Sequence, residues 1–454
     1  MSRDKSKINY LTCRFEDQEL ENEFQIYRTE KSWKFILFLF YTAFFIGWLI
    51  KLDDIKVLGF NSFYISYHLI EQILFFILLL SSTKIKKKYY ENYFFISWIG
   101  LMNTGAWVYY HSTASFPAGE GAITIAVLFS FIMYPFSFIK SLIAGLLTSI
   151  PMAIMIFHKQ DVEFGHLIYG LFMPFIMLAF YKHSMGKSNR SEFYNEKMMK
   201  TKQKEIEDSI SYAKKIQDAM LVSENYLKET LPESFVLHIP KDIVSGDFYW
   251  VYKEENDIYF TVSDCTGHGV PGSLMSMIGT TLLNEIVIEM KIKETDKILN
   301  EIRNQVIKTL HQDEDNSQKD GMDMTLVRLN KKKNEIEFSS ANNILVNVSD
   351  GNLYSYKGDH QPVGFYSGKN ISFTKQKIKV KKNDMIYLFS DGYQDQFGGE
   401  RNKKFMISKL KKLLLKISNE NVDTQLQKLK TEFELWKGNE EQIDDVCLMG
   451  VRVI

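Results

Sequence analysis

The sequence predicts a multi-domain chain: an all-α membrane domain of six spans, followed by an α+β domain of ordinary soluble composition. Three observations carry that division. Apolar runs of near-membrane length succeed one another between residues 33 and 182, while residues 183 to 454 alternate short strand-like and helix-like patterns. Basic residues are concentrated in alternate connections of the apolar half, as an oriented membrane protein requires. The second half shows few βαβ repeats, which argues against a doubly wound parallel sheet. The expected parts are a tail at 1–32, a six-helix transmembrane domain at 33–182, a helical linker at 183–222 and an α+β domain at 223–454.

The first thirty residues are polar and lack the apolar core of a signal peptide. Glu16 to Glu30 has the composition of a short surface helix. The expected spans are 33–50, 60–80, 93–110, 121–138, 141–157 and 164–181, each near the ~20 residues that a bilayer demands. Lys84, Lys86, Lys87 and Lys88 occupy the second connection, and Lys182, Lys187 and Arg190 follow the last span. The loop from His111 to Glu120 has no Lys or Arg, and the last loop only Lys159; Lys51 and Lys56 in the first loop run against the trend. Positive-inside bias therefore places both termini in the cytoplasm, with the lipid bilayer as a partner. His68 and Glu71 are three residues apart on one helical face, and His111 and His166 lie in or near spans. Such groups point to either a sensed ligand or a hydrogen-bonded packing role, and no ligand set follows from their spacing.

Residues 183 to 221 read as a charged helix without proline. Met199, Ile206, Ala213 and Met220 recur every seven residues as one clear seam, while Gln203 and Gln217 interrupt a second one, which is only partial. The pattern fits a homodimeric coiled coil or a solvated helix lying on the next domain. Across the whole chain 55 basic residues balance 55 acidic ones, so net charge suggests no nucleic-acid partner. Cys13, Cys265 and Cys447 form no CxxC pair, which argues against a zinc site or a disulfide framework and fits a reducing compartment.

The chemistry concentrates at Lys241 to Met277. Asp247 precedes an aromatic strand at 248–252, and Asp264 ends the next strand at 258–262 before the turn Gly267-His268-Gly269. A short charged loop joins the strands as an antiparallel hairpin, so the two aspartates should be neighbours. Paired carboxylates repel unless a cation or shared proton lies between them, and the glycines permit close backbone approach. Further on, helical spacing marks 272–292, 295–309, 404–418 and 421–436, and strands are expected at 323–329, 335–340, 344–348, 371–379, 385–389 and 446–451. Two more acidic motifs flank the last two strands: Ser390-Asp391-Gly392 and Asp444-Asp445. A Cys-x5-Arg loop and a Ser-His-Asp series are both absent from the sequence.

The segment SGDFYW, followed by SDCTGHGVPGSLMSMIG and then by the two later motifs in order, resembles the SpoIIE/RsbU branch of the metal-dependent type 2C protein Ser/Thr phosphatases. The resemblance implies two stacked antiparallel sheets flanked by helices, with two divalent ions, Mn2+ or Mg2+, at one edge. It implies Asp247 and Asp264 as the central catalytic ligands, Asp247 bridging the metals, and Cys265 contributing its backbone carbonyl. Asp391 would bind one metal and Asp444 the other, with Asp323 and Asp445 left open. His268 would shape the turn, a proton-transfer role standing beside that reading, and the basic phosphate-gripping residue of some relatives is missing. The implied activity is hydrolysis of phosphoserine or phosphothreonine on a regulatory protein of STAS type, at a bacterial cytoplasmic membrane. The rival expectation is a catalytically silent binding module coupled to a membrane sensor.

Overall fold

The computed structural model describes residues 6–28, 30–31, isolated helical positions between 73 and 154, 173–312, 319–366 and 371–454. The chain divides into two compact units, Met1–Lys202 and Gln203–Ile454. The expected spans lie outside the described residues, apart from those isolated positions and the last residues of the sixth. Among the described residues no helix is long and apolar enough to cross a membrane.

In the first unit, a helix at residues 18–28 (α1) packs against residues of a long helix, α2 (Met173–Met220). Phe15, Leu20, Phe24 and Phe193 form a small buried cluster. Beside it the Arg190 guanidinium grips the Glu21 carboxylate with two bonds, Nε to Oε2 at 2.9 Å and Nη2 to Oε1 at 2.6 Å. Both side chains are almost fully buried. The guanidinium also lies 4.4 Å from the Phe24 ring centroid, a cation–π contact. Burial alone would raise the Glu21 carboxyl, yet the hydrogen bond and charge of Arg190 hold it below the usual carboxylate range.

The second unit is a four-layer arrangement of helices, sheet, sheet and helices. Its elements are α3 (Glu224–Thr230), β1 (Ser234–Ile239), β2 (Phe248–Glu254), β3 (Asp257–Cys265), α4 (Gly269–Leu283) and α5 (Thr295–Thr309). There follow β4 (Gly321–Asn330), β5 (Glu335–Ala341), β6 (Ile344–Ser349), β7 (Asn352–Lys357), β8 (Val363–Gly364), β9 (Gln376–Lys379) and β10 (Met385–Phe389). The chain closes with α6 (Gly392–Asp395), β11 (Phe397–Gly398), β12 (Lys403–Lys404), α7 (Ile407–Ile417), α8 (Val422–Lys437) and β13 (Val446–Arg452). One sheet has the order β1-β13-β10-β6-β7 and the other β2-β3-β4-β5-β9, with β8 beside β4. Their ladders are antiparallel throughout. The expected α+β fold of two stacked antiparallel sheets flanked by helices is what the second unit has.

Alternation along the strands builds three cores at once. Val251, Ile258, Phe260 and Val262 of one sheet meet Ile386, Leu388, Met449 and Val451 of the other. On the outer face of the first, Phe248, Trp250 and Tyr259 pack under Leu283, Ile286, Ile298 and Ile302. On the outer face of the second, Phe235, Tyr387 and Phe389 pack under Leu410, Leu414, Leu429 and Phe433. Strands covered on both faces read as unbroken apolar runs, which explains the compositions of β10 and β13. The expected strand at 371–379 narrows to Gln376–Lys379. The expected helix at 272–292 begins earlier, at Gly269, and passes into a π-helical stretch at Asn284–Glu289. There Asn284 Oδ1 accepts a hydrogen bond from the Trp250 indole at 2.8 Å.

Candidate metal centre

All four acidic motifs arrive at one end of the stacked sheets. Phe248 pairs with Ser263 at the end of the β2–β3 ladder, so one further step of the same register sets Asp247 opposite Asp264. In the other sheet Phe389 pairs with Leu448. Asp391, just past β10, and Asp444, just before β13, therefore emerge at the same edge. The Asp391 amide reaches the Asp264 carboxylate at 3.3 Å, which ties the motif of one sheet to that of the other. Asp247 is 3 % exposed and forms the floor, whereas Asp264 and Asp444 are half-buried and Asp391 lies at the rim. The result is an acidic cleft open to solvent on one side.

The loop carrying Asp247 is held from several directions. Asp445 Oδ1 accepts from the Lys241 amide and Oδ2 from the Gly246 amide, each at 2.7 Å. Asp445 is therefore a clamp on the loop, with both carboxylate oxygens engaged by backbone. Ser245 Oγ donates to the Asp247 carbonyl at 3.0 Å. Glycine is required where backbones touch: a Cβ on Gly246 would stand 2.6 Å from the Gly267 carbonyl oxygen, and one on Gly272 would fall on the same oxygen. The Gly-Asp turn, the Gly-His-Gly turn and the first turns of α4 thus interlock through backbone contacts only glycine permits.

Electrostatics identify what the cleft would take. Burial, and then the charge of Asp264, push the Asp247 carboxyl well above the usual range, with a hydrogen bond from Ser390 opposing them. Burial and then Asp391 do the same to Asp264. Asp391 is pushed up to about 6, by desolvation first and then by Asp444, Asp395 and Asp323. Asp247 Oδ2 is buried and has no hydrogen-bond partner among the described residues. An unpaired buried carboxylate oxygen costs free energy that a bound cation would recover. An all-oxygen donor set of this kind suits a hard divalent ion. The residues present fit such ions, although among the described residues no group of three acidic, His or Cys side chains stands ready at ligating geometry.

The other candidates fall around this cleft. Asp323 pairs with Asp264 across β3 and β4, and its carboxylate accepts from the Asn342 amide at 2.8 Å. The Cys265 thiol points into the apolar core under α4, and burial raises its pKa well above the ordinary thiol value. Cys447 is likewise buried and raised. His268 precedes α4, with Nδ1 2.8 Å from Asp242 Oδ2 and Nε2 2.9 Å from Lys241 Nζ. A lysine ammonium only donates, so Nε2 accepts and Nδ1 carries the proton to Asp242. The sequence offered no sign of the Lys241–His268–Asp242 chain, whose members come from two segments. His238 is another partner missed there; its Nε2 lies 3.2 Å from the Asp247 carbonyl, and burial lowers its pKa.

Residues 254–454 match the family model described as stage II sporulation protein E (SpoIIE). A curated relative, the phosphoserine phosphatase RsbU of Bacillus subtilis (strain 168), is 25 % identical over 196 residues. The match takes in 42 % of this chain and 54 % of the relative, so the chain spans about half the length of the curated relative it matches. Among solved structures, the SiaA-PP2C domain of Pseudomonas aeruginosa is 28 % identical with a TM-score of 0.51. It covers 55 % of this chain and 98 % of its own.

Proposed function

We propose that this chain is a membrane-bound signalling receptor whose output is a metal-dependent protein phosphatase, hydrolysing phosphoserine or phosphothreonine on a regulatory protein. The observation that carries the catalytic part is the convergence of four acidic motifs around a buried Asp247 oxygen that has no hydrogen-bond partner among the described residues. The likeness to a phosphoserine phosphatase and to a PP2C domain supports the same reading. Asp247 and Asp264 would be the central metal ligands, Asp391 would hold one ion and Asp444 the other, and Cys265 would add its backbone carbonyl. When bound, a pair of Mn2+ or Mg2+ ions supplies an activated water and neutralises the charge of the phosphoryl group. Asp445 and Ser245 keep the Asp247 backbone in place. With no obvious basic phosphate-gripping residue near the start of the domain, substrate phosphate would rest mainly on the metals. A small phosphorylated STAS-type regulator is the substrate class the resemblance favours.

The membrane part rests on the apolar runs and on the first unit. Residues of the tail, Phe15 to Phe24, pack on α2 at Arg190 and Phe193. Packing of the tail on the helix that follows the apolar runs supports an even number of crossings, in keeping with the six-span reading. Pairing of two chains along α2 is supported by Met199 and Ile206, whose side chains are exposed in the single chain at 73 % and 60 %.

The test uses the full-length protein against p-nitrophenyl phosphate and a phosphoserine peptide, with Mn2+, with Mg2+ and with EDTA. Turnover is expected only with metal, and Asp264→Asn should remove it while the protein stays folded by circular dichroism. Unaltered turnover in that variant would sink the assignment, and silence of the wild type with both metals would favour the binding module.

A further inference from the structure

Gln203 and Gln217 both interrupt the apolar seam of α2, but the structure treats them differently. Gln203 is exposed and its amide bonds Glu207 one turn along, at 2.9 Å. Gln217, which lies within the second unit, is 4 % exposed. Its Nε2 donates to the Ser245 carbonyl at 2.6 Å and to Ser276 Oγ at 2.8 Å, while its Oε1 accepts from the Ser245 amide at 3.1 Å. One side chain therefore grips the peptide groups on both sides of Ser245, much as a neighbouring strand would, and adds a bond to α4. Ser276 Oγ itself donates back into its helix at the Ser273 carbonyl, at 2.8 Å, so the α4 end of this bridge is fixed.

We infer that Gln217 is a positioning residue for the Asp247 loop, linking the end of α2 to the floor of the acidic cleft. The inference rests on the phosphatase reading and concerns the regulation of that same site. Ser245 is two residues from Asp247 and bonds its carbonyl directly, so the grip on Ser245 sets where the Asp247 carboxylate stands. Asp445 secures the other side of the loop at Lys241 and Gly246. Of the two anchors, the one from Gln217 belongs to an element that runs unbroken from Met173 to Met220. A shift or rotation of α2 would change the Gln217 anchor and leave the Asp445 anchor in place. This also accounts for a polar residue at a heptad position: the seam yields one apolar contact so that a backbone segment can be held. Metal binding and catalysis would then depend on the position of a helix that contributes no ligand.

The experiment compares full-length wild type, Gln217→Ala, isosteric Gln217→Glu and Gln203→Ala. Hydrogen exchange of the peptide spanning residues 243–248 is measured without metal, and half-saturation by Mn2+ is measured with p-nitrophenyl phosphate. Both Gln217 variants should exchange this peptide about tenfold faster or more. Loss of a partner that orients a ligand typically weakens metal binding by about 10–100-fold, and that range is expected for their Mn2+ half-saturation. Gln203→Ala should match wild type on both readouts. Unchanged exchange and Mn2+ dependence in Gln217→Glu would overturn the inference, even if Gln217→Ala fails to fold. An equal effect from Gln203→Ala would overturn it as well. A wild type inactive with every metal overturns the phosphatase reading instead, while the exchange comparison still decides the role of Gln217.

Discussion

At Asp391 the local chemistry makes a prediction with a definite sign. A carboxyl raised to about 6 from an unfolded value of 3.8 is held in its protonated form by folding. Its stabilising contribution is present below about pH 4 and is lost as pH rises through about 6, because the folded state then binds no more protons than the unfolded one. Asp247 and Asp264 are raised as well, which extends the loss above that window. Metal-free protein should therefore lose stability from this cluster between about pH 4 and neutrality. Added Mn2+ should reverse the loss, since the ion takes the place of the protons. Thermal melts at pH 5 and pH 7.5 with and without Mn2+ test this: the metal-induced rise in Tm should be larger at pH 7.5. An equal rise at both values would mean that the carboxylates do not titrate as a metal-linked group. Asp445, adjacent to Asp444 in sequence, is spent on two backbone amides, so neighbouring aspartates of one motif have different work.

Among the elements, α1 and α2 show how a short polar segment acquires a fixed place. Residues 18–28 could not sustain an isolated helix in water, since short helices are marginal without tertiary packing. The buried Phe15, Leu20 and Phe24 supply that packing, and the Glu21–Arg190 pair sets the register along α2. Removing one partner of a buried ion pair leaves the other unpaired and costs about 3–5 kcal/mol. Arg190→Ala should therefore release residues 15–28 from α2, seen as accelerated hydrogen exchange over that segment. Protection equal to wild type would mean that the aromatic cluster alone holds α1. In the second unit the turns before β2 and after β3 depend on glycine for a different reason: their backbones touch, and side-chain packing has no part in it.

For the whole molecule, the arrangement implies a topology that can be checked directly. Under the proposed six-span reading, the tail packs on the helix that follows the apolar half, so reporters fused at the N-terminus and at Ile454 should lie on one side of the membrane. A reporter placed in the loop from His111 to Glu120, which lacks Lys and Arg, should lie on the other. Green fluorescent protein at either terminus should fluoresce, and alkaline phosphatase inserted in that loop should be active. Termini reporting from opposite sides would exclude an even number of crossings.

Residue pattern alone was enough for the two-part organisation of the composition, for the α+β class of the second unit and for setting Asp247 beside Asp264. Those features depend on local pattern: strand alternation, hairpin length and motif position are all written in consecutive residues, as Asp247 and Asp264 flanking one hairpin illustrate. Strands β1 and β7 were harder to see. β7 is a largely exposed edge strand with little apolar signal, and β1 becomes a strand only by pairing with β13, the last strand of the chain. What only the tertiary structure decided is which polar residues serve the site and which serve its frame. Asp445 clamps a loop some 200 positions away, Gln217 grips Ser245 and Ser276, and Lys241 meets His268, all across distances in sequence that carry no periodic signal. A hydrogen bond is specified by where two backbones pass each other, and that is fixed by the packing of both sheets and their helices, not by the residues on either side of the bond.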